Sequence, residues 1–360
     1  MPPSQYTELV LQEMHAKHSF YSPRKIDTVY FGGGTPSLVE PENILQLLLE
    51  LEKLSFVRGP DTEATIEINP ATLSRVKMEA YLSMGINRFS VGAQTFDDNL
   101  LKKVNREHSA QQTVETLEFL ASYKVNYSFD LLFALPGQTL DGLKRDLEKV
   151  VQFSPNHVSP YCLTVPEGNP LFKNRPPDDR QVEMFHLIEN TLKNNGYLQY
   201  EISNFCKPGH ESKHNTLYWS DQEWWGLGLS AHSYSKSTPW GIRFWNPRSI
   251  KQYEQHVLET SVLKSPLSLP EAYFENLEMN QALTDFCHTS LRMLAGLNMN
   301  HLEKKFGQQA SEKVRSISIP FLNRELLEAT AEGFRLTSKG ILLSNQVFLG
   351  FTFLKDSPLT

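Results

Sequence analysis

The residues of this chain that could do chemistry follow short apolar segments. The run 26–31 leads into three glycines at 32–34 and then into Thr35, and glycine lets backbone groups approach a ligand because it has no Cβ. Four further polar motifs follow later apolar runs: Glu67-Ile68-Asn69-Pro70, Gly92-Ala93-Gln94-Thr95-Phe96, Asp130-Leu131-Leu132 leading to Pro136-Gly137-Gln138-Thr139, and His214-Asn215-Thr216-Leu217-Tyr218-Trp219. A single glycine turn is a weak signal, but the whole series predicts a ligand site built from strand ends.

The elements that must position these motifs alternate along the chain. The hydrophobic pattern predicts helices over 6–17, 41–54, 74–84, 110–123 and 140–151, and strands over 26–31, 64–68, 88–91, 125–132 and 157–163. Alternating strands and helices predict a parallel α/β sheet or barrel with right-handed crossovers. Such folds bind ligands at the carboxyl ends of their strands, where the polar motifs are predicted to lie.

The pattern changes after Pro166. The next segments are predicted to be a loop, a helix, an aromatic polar stretch and a proline-marked boundary, over 167–180, 181–195, 197–234 and 266–270. The remainder has two or three helical segments and a strand followed by a turn at 334–340. This arrangement is typical of a small winged-helix-like module.

Composition and charge exclude several function classes. The chain has 360 residues, a net charge of −6 and no long block of lysine or arginine, which argues against nucleic acid as a main partner because phosphate contacts need a basic surface. No apolar run approaches the roughly 20 residues of a membrane span, and residues 1–20 lack a signal-peptide pattern. We therefore expect no transmembrane segment.

The cysteines of the chain are few and far apart. Cys162, Cys206 and Cys287 form no C-x-x-C-type pair, so they predict no metal site. We interpret them as small buried or half-buried thiols. Three cysteines in a chain of this length predict a reducing compartment, and hence a cytoplasmic protein.

The order of the motifs resembles one known family. The segments are FGGGTPSL, EINP, NRFSVGAQTF, VNREH, FDLLFALPGQT, HVSPYCLT, YEISNF, HNTLYW and FRLTSKG. They resemble the radical S-adenosylmethionine (SAM) family that contains oxygen-independent coproporphyrinogen III oxidase and the HemW-type heme chaperones. The resemblance covers nearly the whole chain. HNTLYW is similar to the HNxxYW signature of the heme-chaperone branch, so the chain resembles that branch rather than the oxidase.

The resemblance implies an α/β fold: a partial parallel (β/α)6 radical SAM barrel that lacks its first strand, with a small C-terminal helical, winged-helix-like domain. It also implies three regions along the chain. They are the radical SAM-type partial barrel at 1–165, a barrel-completing region with the heme motif at 166–265, and a small HemN-like domain at 266–360.

The resemblance further implies a set of SAM-binding residues: Gly33, Gly34, Thr35, Glu67, Gln94, Arg106 and Asp130. The glycine backbone and the threonine would meet the methionine moiety, the glutamate its ammonium group and the arginine its carboxylate. The glutamine and the aspartate would bind the ribose hydroxyls. Each residue also has a plain structural interpretation, as a turn glycine, a helix cap, a solvated carboxylate or a surface charge.

His214 is the residue that the resemblance assigns to heme. An imidazole can bind heme iron while the flat rings of Tyr218 and Trp219 pack against the macrocycle. Cys206 and His210 lie just upstream and are rival ligands. A lone histidine is also commonly a hydrogen-bonding residue of the surface or core. The tryptophans that follow can likewise belong to the core: Trp219, Trp224 and Trp225.

The chain departs from the family in one respect. Radical SAM chemistry needs a [4Fe-4S] cluster held by the cysteines of a CxxxCxxC motif, and this sequence contains no such motif. We therefore do not expect the chain as written to cleave SAM reductively, and we assign no catalytic residue and no metal ligand. The family carries that motif after its first strand, so we expect the natural chain to begin upstream of Met1 with such a strand and loop.

These observations predict a heme chaperone-like protein that binds heme and transfers it to an acceptor protein, with a SAM-binding barrel. One alternative is a radical SAM enzyme of the coproporphyrinogen III oxidase type, in a full-length form. The other is a degenerate paralogue without the cluster. Hemin binding supports the first function, whereas turnover of coproporphyrinogen supports the second.

Overall fold

The computed structural model describes residues 1–354, which divide into two compact units. The first unit consists of residues 1–26, 42–60 and those from 215 onward, and the second consists of 27–41 and 61–214. The sequence-predicted boundaries at 165 and 265 stay a prediction, and residues 355–360 of the last predicted region lie outside the described residues.

The helices are α1 (Pro3–Lys17), α2 (Pro41–Lys53), α3 (Arg75–Ser83), α4 (Asp98–Lys103), α5 (Ala110–Ser122), α6 (Leu140–Phe153), α7 (Asp178–Asn194), α8 (Lys213–Trp219), α9 (Ile250–Thr260), α10 (Met279–Arg292), α11 (Met299–Phe306), α12 (Gln308–Asn323), α13 (Ser338–Leu342) and α14 (Ser344–Gly350). The strands are β1 (Arg24–Phe31), β2 (Phe56–Ile68), β3 (Arg88–Gln94), β4 (Asn126–Phe133), β5 (His157–Cys162), β6 (Leu198–Glu201), β7 (Asn204–Cys206), β8 (His232–Ser235), β9 (Ile242–Trp245), β10 (Phe274–Asn276), β11 (Leu297–Asn298), β12 (Leu327–Ala329) and β13 (Gly333–Leu336).

A seven-stranded sheet is the framework of the second unit. Its strand order is β1-β2-β3-β4-β5-β7-β6. The pairs β2–β3, β3–β4 and β4–β5 are parallel, which confirms the predicted parallel α/β class. The last two strands are antiparallel to each other, and β7 is also antiparallel to β5.

The two faces of this sheet differ in chemistry because side chains alternate along a strand. One face carries fully buried apolar residues, among them Ile66, Phe89, Val91 and Phe129. The other face carries polar residues in register across β2 to β5, which include Glu67, Ser90, Ser128 and His157 in one row and Asp130 and Ser159 in the next. The candidate site residues on β2 and β4 belong to this polar face.

Three helices of the second unit begin at hydroxyl caps. The side chains of Ser74, Ser109 and Thr139 accept hydrogen bonds from backbone N–H groups three residues further on, at the starts of α3, α5 and α6. Such caps satisfy N–H groups that have no partner within the helix. The predicted starts of these helices agree with the structure to within one residue.

The structure contains elements that the sequence analysis missed. β2 begins at Phe56 rather than at residue 64, and α4 was not predicted. The strands β6 and β7 lie within the predicted aromatic stretch. Strands of four and three residues carry too few side chains to establish a period of two, which explains why the pattern did not reveal them.

The first unit contains two three-stranded antiparallel sheets, with strand orders β10-β9-β8 and β11-β13-β12. The predicted strand and turn at 334–340 form β13 and the start of α13, as expected for the small C-terminal domain. Trp225 packs against a core cluster of this unit, which supports its structural interpretation. The guanidinium of Arg292 lies 4.5 Å from the ring centroid of Trp219.

The predicted burial of the cysteines is correct for two of the three. Cys206 and Cys287 are buried, whereas Cys162, the last residue of β5, is exposed. Within residues 1–354, no helix combines the length and the apolar character that a membrane crossing requires.

Candidate functional site

The glycine motif forms an open turn directly after β1. Gly33 and Gly34 have φ angles of +78° and +63°, a backbone conformation that favours glycine. A Cβ at either position would meet no heavy atom within 4 Å. The backbone here is therefore open to a ligand. Thr35 follows, and its carbonyl accepts a hydrogen bond from the backbone N–H of Leu38.

Gly32 serves a different purpose from its two neighbours. A Cβ built on Gly32 would lie 2.4 Å from Cε1 of Tyr30 and 2.8 Å from Oε1 of Glu67. The absence of a side chain at Gly32 therefore lets the tyrosine and the glutamate approach each other.

Glu67 connects the carboxyl ends of β1 and β2. Its Oε1 accepts a hydrogen bond of 2.8 Å from the hydroxyl of Tyr30, and its Oε2 accepts one of 3.0 Å from the backbone N–H of Gly33. Burial, and next the charge of the glutamate, raise the pKa of the tyrosine hydroxyl, so this hydroxyl stays protonated and donates. A half-buried carboxylate beside an open glycine turn suits a cationic ligand group.

Gln94 is the last residue of β3. It is 6% exposed, and its φ of +67° is unusual for a residue other than glycine. It stands in register with Leu131, one position from Asp130 on the neighbouring strand. The structure therefore brings Gln94 and Asp130 to adjacent strands, as the sequence analysis predicts.

Asp130 lies within β4, three residues before its last residue Phe133, in agreement with the strand predicted over 125–132. Burial raises the pKa of Asp130 to about 6, and the positive charge of Arg88 opposes that effect. The hydroxyl of Ser90 lies 3.4 Å from both carboxylate oxygens. Asp130 is thus a half-buried carboxyl group on the polar face of the sheet.

Arg106 lies in the loop between α4 and α5. It is half-buried, and its backbone N–H donates to the carbonyl of Leu101. The same loop is fixed by His108, whose ring nitrogens lie 2.9 Å from Oδ1 of Asn69 and 3.3 Å from the carbonyl of Ala93. The sequence analysis did not identify this histidine.

His214 is the second residue of α8, so the prediction that its motif follows a strand end is wrong. Its Nδ1 lies 2.8 Å from the hydroxyl oxygen of Thr28. Its ring stacks on that of Tyr30, with 4.8 Å between centroids and 15° between planes. Burial, and next the charge of Arg88, lower the pKa of His214 to about 4. The imidazole is therefore neutral at neutral pH, which is the form that binds metals.

The backbone of His214 is fixed by Glu63 of β2. The carboxylate of Glu63 accepts hydrogen bonds from the backbone N–H groups of Lys213 and His214, at 3.1 and 3.0 Å. This carboxylate also forms a buried ion pair with Arg88, at 4.0 Å from Nε. The sequence analysis missed the residues of β1 to β3 that act on His214, namely Thr28, Tyr30, Glu63 and Arg88. A signal for a shared polar face exists in the alternation of polar residues along these strands.

One of the two rival ligands, Cys206, is less suited to heme. Cys206 is fully buried in β7, and burial raises the pKa of its thiol to about 12. The thiol is therefore protonated, whereas a thiolate is the form that binds iron. His210 lies in the loop after β7, with Nε2 3.5 Å from Nδ2 of Asn156.

Metal-binding side chains do not cluster in the described part of the chain. No group of three or more histidine, cysteine, aspartate or glutamate residues among residues 1–354 is arranged to hold a metal ion. The printed sequence also lacks a CxxxCxxC motif. The residues present therefore do not fit a [4Fe-4S] cluster.

Comparison with known proteins identifies what this chain is similar to. Residues 3–150 match the model of the radical SAM superfamily, and residues 278–343 match that of the HemN C-terminal domain. The chain is 33% identical to the heme chaperone HemW of Lactococcus lactis subsp. lactis (strain IL1403), with 97% of this chain and 90% of the relative covered. It is 30% identical to the heme chaperone HemW of Bacillus subtilis (strain 168), with 97% of this chain and 92% of that relative covered.

A solved structure shares the fold. Coproporphyrinogen III oxidase (HemN) from Escherichia coli, a radical SAM enzyme, superposes with a TM-score of 0.80 at 20% sequence identity. The superposition covers 97% of this chain and 83% of the oxidase. This likeness confirms the predicted fold, a partial radical SAM barrel with a small C-terminal domain.

Proposed function

The chain belongs to the HemW family of heme chaperones within the radical SAM superfamily, and from this premise we propose that it binds heme and passes it to an acceptor protein. The observation that carries the proposal is the environment of His214. The imidazole is neutral at neutral pH because its pKa is lowered to about 4, and its ring is held flat against Tyr30. A neutral, oriented imidazole suits axial ligation of heme iron.

Titration of the purified chain with hemin tests this proposal. We expect a Soret band with the wild-type chain, and a loss of affinity of about tenfold or more for His214→Ala. His301→Ala removes an exposed histidine of α11 and is the matched control. His210→Ala tests the rival ligand. Loss of hemin affinity in His210→Ala but not in His214→Ala would assign the iron to the loop after β7 and contradict the proposal.

We also propose that the carboxyl end of the sheet binds SAM. The residues in this proposal are Gly33, Gly34, Thr35, Glu67, Gln94, Arg106 and Asp130. Support comes from the open glycine turn and from Glu67, whose carboxylate lies at that turn and matches the cationic ammonium group. SAM enters this proposal as a bound ligand of these residues.

We propose the cytoplasm as the compartment of this function. The unpaired state of Cys162, Cys206 and Cys287 supports this proposal, because unpaired thiols persist where the environment is reducing. Heme transfer would then occur between two proteins in that compartment.

A further inference from the structure

The side chains that fix His214 come from the two strands at one edge of the sheet. Thr28 and Tyr30 are two residues apart on β1 and therefore project from the same face. They contact the imidazole at its Nδ1 atom and at its ring face, respectively. Glu63 on β2 holds the backbone of the histidine. Three different residues thus hold the Nδ1 atom, the ring plane and the backbone of His214.

The contact at Nδ1 determines which nitrogen can reach iron. With the hydroxyl oxygen of Thr28 at 2.8 Å, Nδ1 is occupied and an iron atom cannot bind there while this contact persists. An iron atom at His214 would therefore be bound through Nε2. The lone pair of Nε2 is then used for iron, so the neutral ring carries its proton on Nδ1 and the hydroxyl accepts that hydrogen bond.

The carboxylate of Glu63 fixes the backbone of His214, from which the imidazole ring extends. It is 8% exposed and accepts from the first two backbone N–H groups of α8. A negative charge at a helix start is favourable because those N–H groups have no partner within the helix. The ion pair with Arg88 offsets the cost of burying this charge.

We propose that Thr28 is a positioning residue for heme ligation: its hydroxyl accepts a hydrogen bond from Nδ1 of His214 and directs Nε2 to the iron. This inference rests on the proposed function, because it presupposes that His214 binds heme. A hydrogen bond from the second nitrogen of a ligating imidazole fixes the tautomer and raises the basicity of the ligand. Thr28 therefore affects both the affinity for heme and the strength of the iron–imidazole bond.

The test compares three threonine substitutions in the full chain. Thr28→Val keeps the shape of the side chain but removes the hydroxyl, and Thr28→Ser restores a hydroxyl. Thr65→Val is the matched control, because Thr65 is a fully buried residue of β2 whose hydroxyl has no hydrogen-bond partner in the structure. Thermal unfolding of each variant establishes whether it is folded.

Hemin titration and resonance Raman spectra of the ferrous complex provide the two measurements. We expect Thr28→Val to weaken hemin binding about tenfold and to lower the iron–histidine stretching frequency, because the imidazole becomes a weaker donor. Thr28→Ser should restore the hemin affinity to within about twofold of the wild-type value, and the stretching frequency to near the wild-type value. Thr65→Val should change neither quantity.

Two outcomes separate the inference from the proposed function. If His214→Ala binds hemin as the wild-type chain does, the proposed ligand is wrong. If His214→Ala loses affinity but Thr28→Val behaves like Thr65→Val, His214 remains the ligand and the role of Thr28 is wrong. A loss in Thr28→Val that Thr28→Ser does not restore also contradicts the inference, because it would show that shape and not the hydroxyl matters.

Discussion

Tyr30 and His214 lie ring against ring, with 4.8 Å between their centroids and 15° between their planes. The hydroxyl of the same tyrosine donates to Glu67, 2.8 Å away. Tyr30 therefore contacts both the residue proposed for heme iron and the residue proposed for the ammonium group of SAM. The two proposed ligand sites share one side chain, which serves one of them through its ring face and the other through its hydroxyl.

The ring of Tyr30 is expected to matter for heme, and its hydroxyl is not. Tyr30→Phe keeps the stacking on His214, so we expect hemin affinity within about twofold of the wild-type value, whereas Tyr30→Leu removes the stacking and should weaken binding about three- to tenfold. Both variants lose the hydrogen bond to Glu67, so their difference isolates the ring. Equal losses in hemin titrations of the two variants would show that the hydroxyl is what heme binding requires.

Glu67 is expected to govern the affinity for SAM. Glu67→Gln keeps the size of the side chain but removes the negative charge that the ammonium group would meet, so we expect SAM to bind about tenfold more weakly. Isothermal titration calorimetry with SAM measures this loss. Glu79→Gln, which neutralises an exposed carboxylate of α3 paired with Arg75, is the control. Unchanged SAM affinity in Glu67→Gln would remove this residue from the proposed site.

The fold could be predicted from the sequence because its parallel strands and their helices are long enough to show their periods. The caps at Ser74, Ser109 and Thr139 added local signals for the helix starts. The sequence pattern did not predict the strands β6 and β7 or the helix α4, because these elements are short. Their positions depend on pairing between distant segments, as between His157 and Cys206, and a single-sequence pattern does not contain that pairing.

The site could be predicted only in part. The glycine turn, Glu67, Gln94 and Asp130 were proposed for the site because their motifs lie at or near the ends of predicted strands, and their role stays a prediction. The contacts of His214 with Thr28 and Glu63 join residues 186 and 151 positions apart, and no local pattern predicts such a meeting. Alternation along β1 and β2 does predict that their polar residues share a face, and this signal was available but not used.

Gly32 is expected to be intolerant of any side chain. Gly32→Ala places a Cβ 2.4 Å from the ring of Tyr30, and overpacking of this kind costs about 1–3 kcal/mol in the free energy of unfolding. In the background of Tyr30→Ala the same substitution should cost less, because the ring that it meets is gone. Chemical denaturation of the two single variants and the double variant measures this coupling. An equal cost in both backgrounds would mean that the strain lies elsewhere.

Asp130 is expected to make the stability of the chain depend on pH. Its pKa is raised from 3.8 to about 6 by burial, so the folded state favours the protonated carboxyl. This contribution to stability is fully present below pH 3.8 and is lost as the pH rises through 6, by at most about 3 kcal/mol. Asp130→Asn cannot ionise, so its free energy of unfolding should fall less between pH 4 and pH 7 than that of the wild-type chain. Urea unfolding across this range measures the difference, with Asp141→Asn as an exposed control. Parallel profiles for the wild-type chain and Asp130→Asn would show that this carboxyl group titrates at its ordinary pKa.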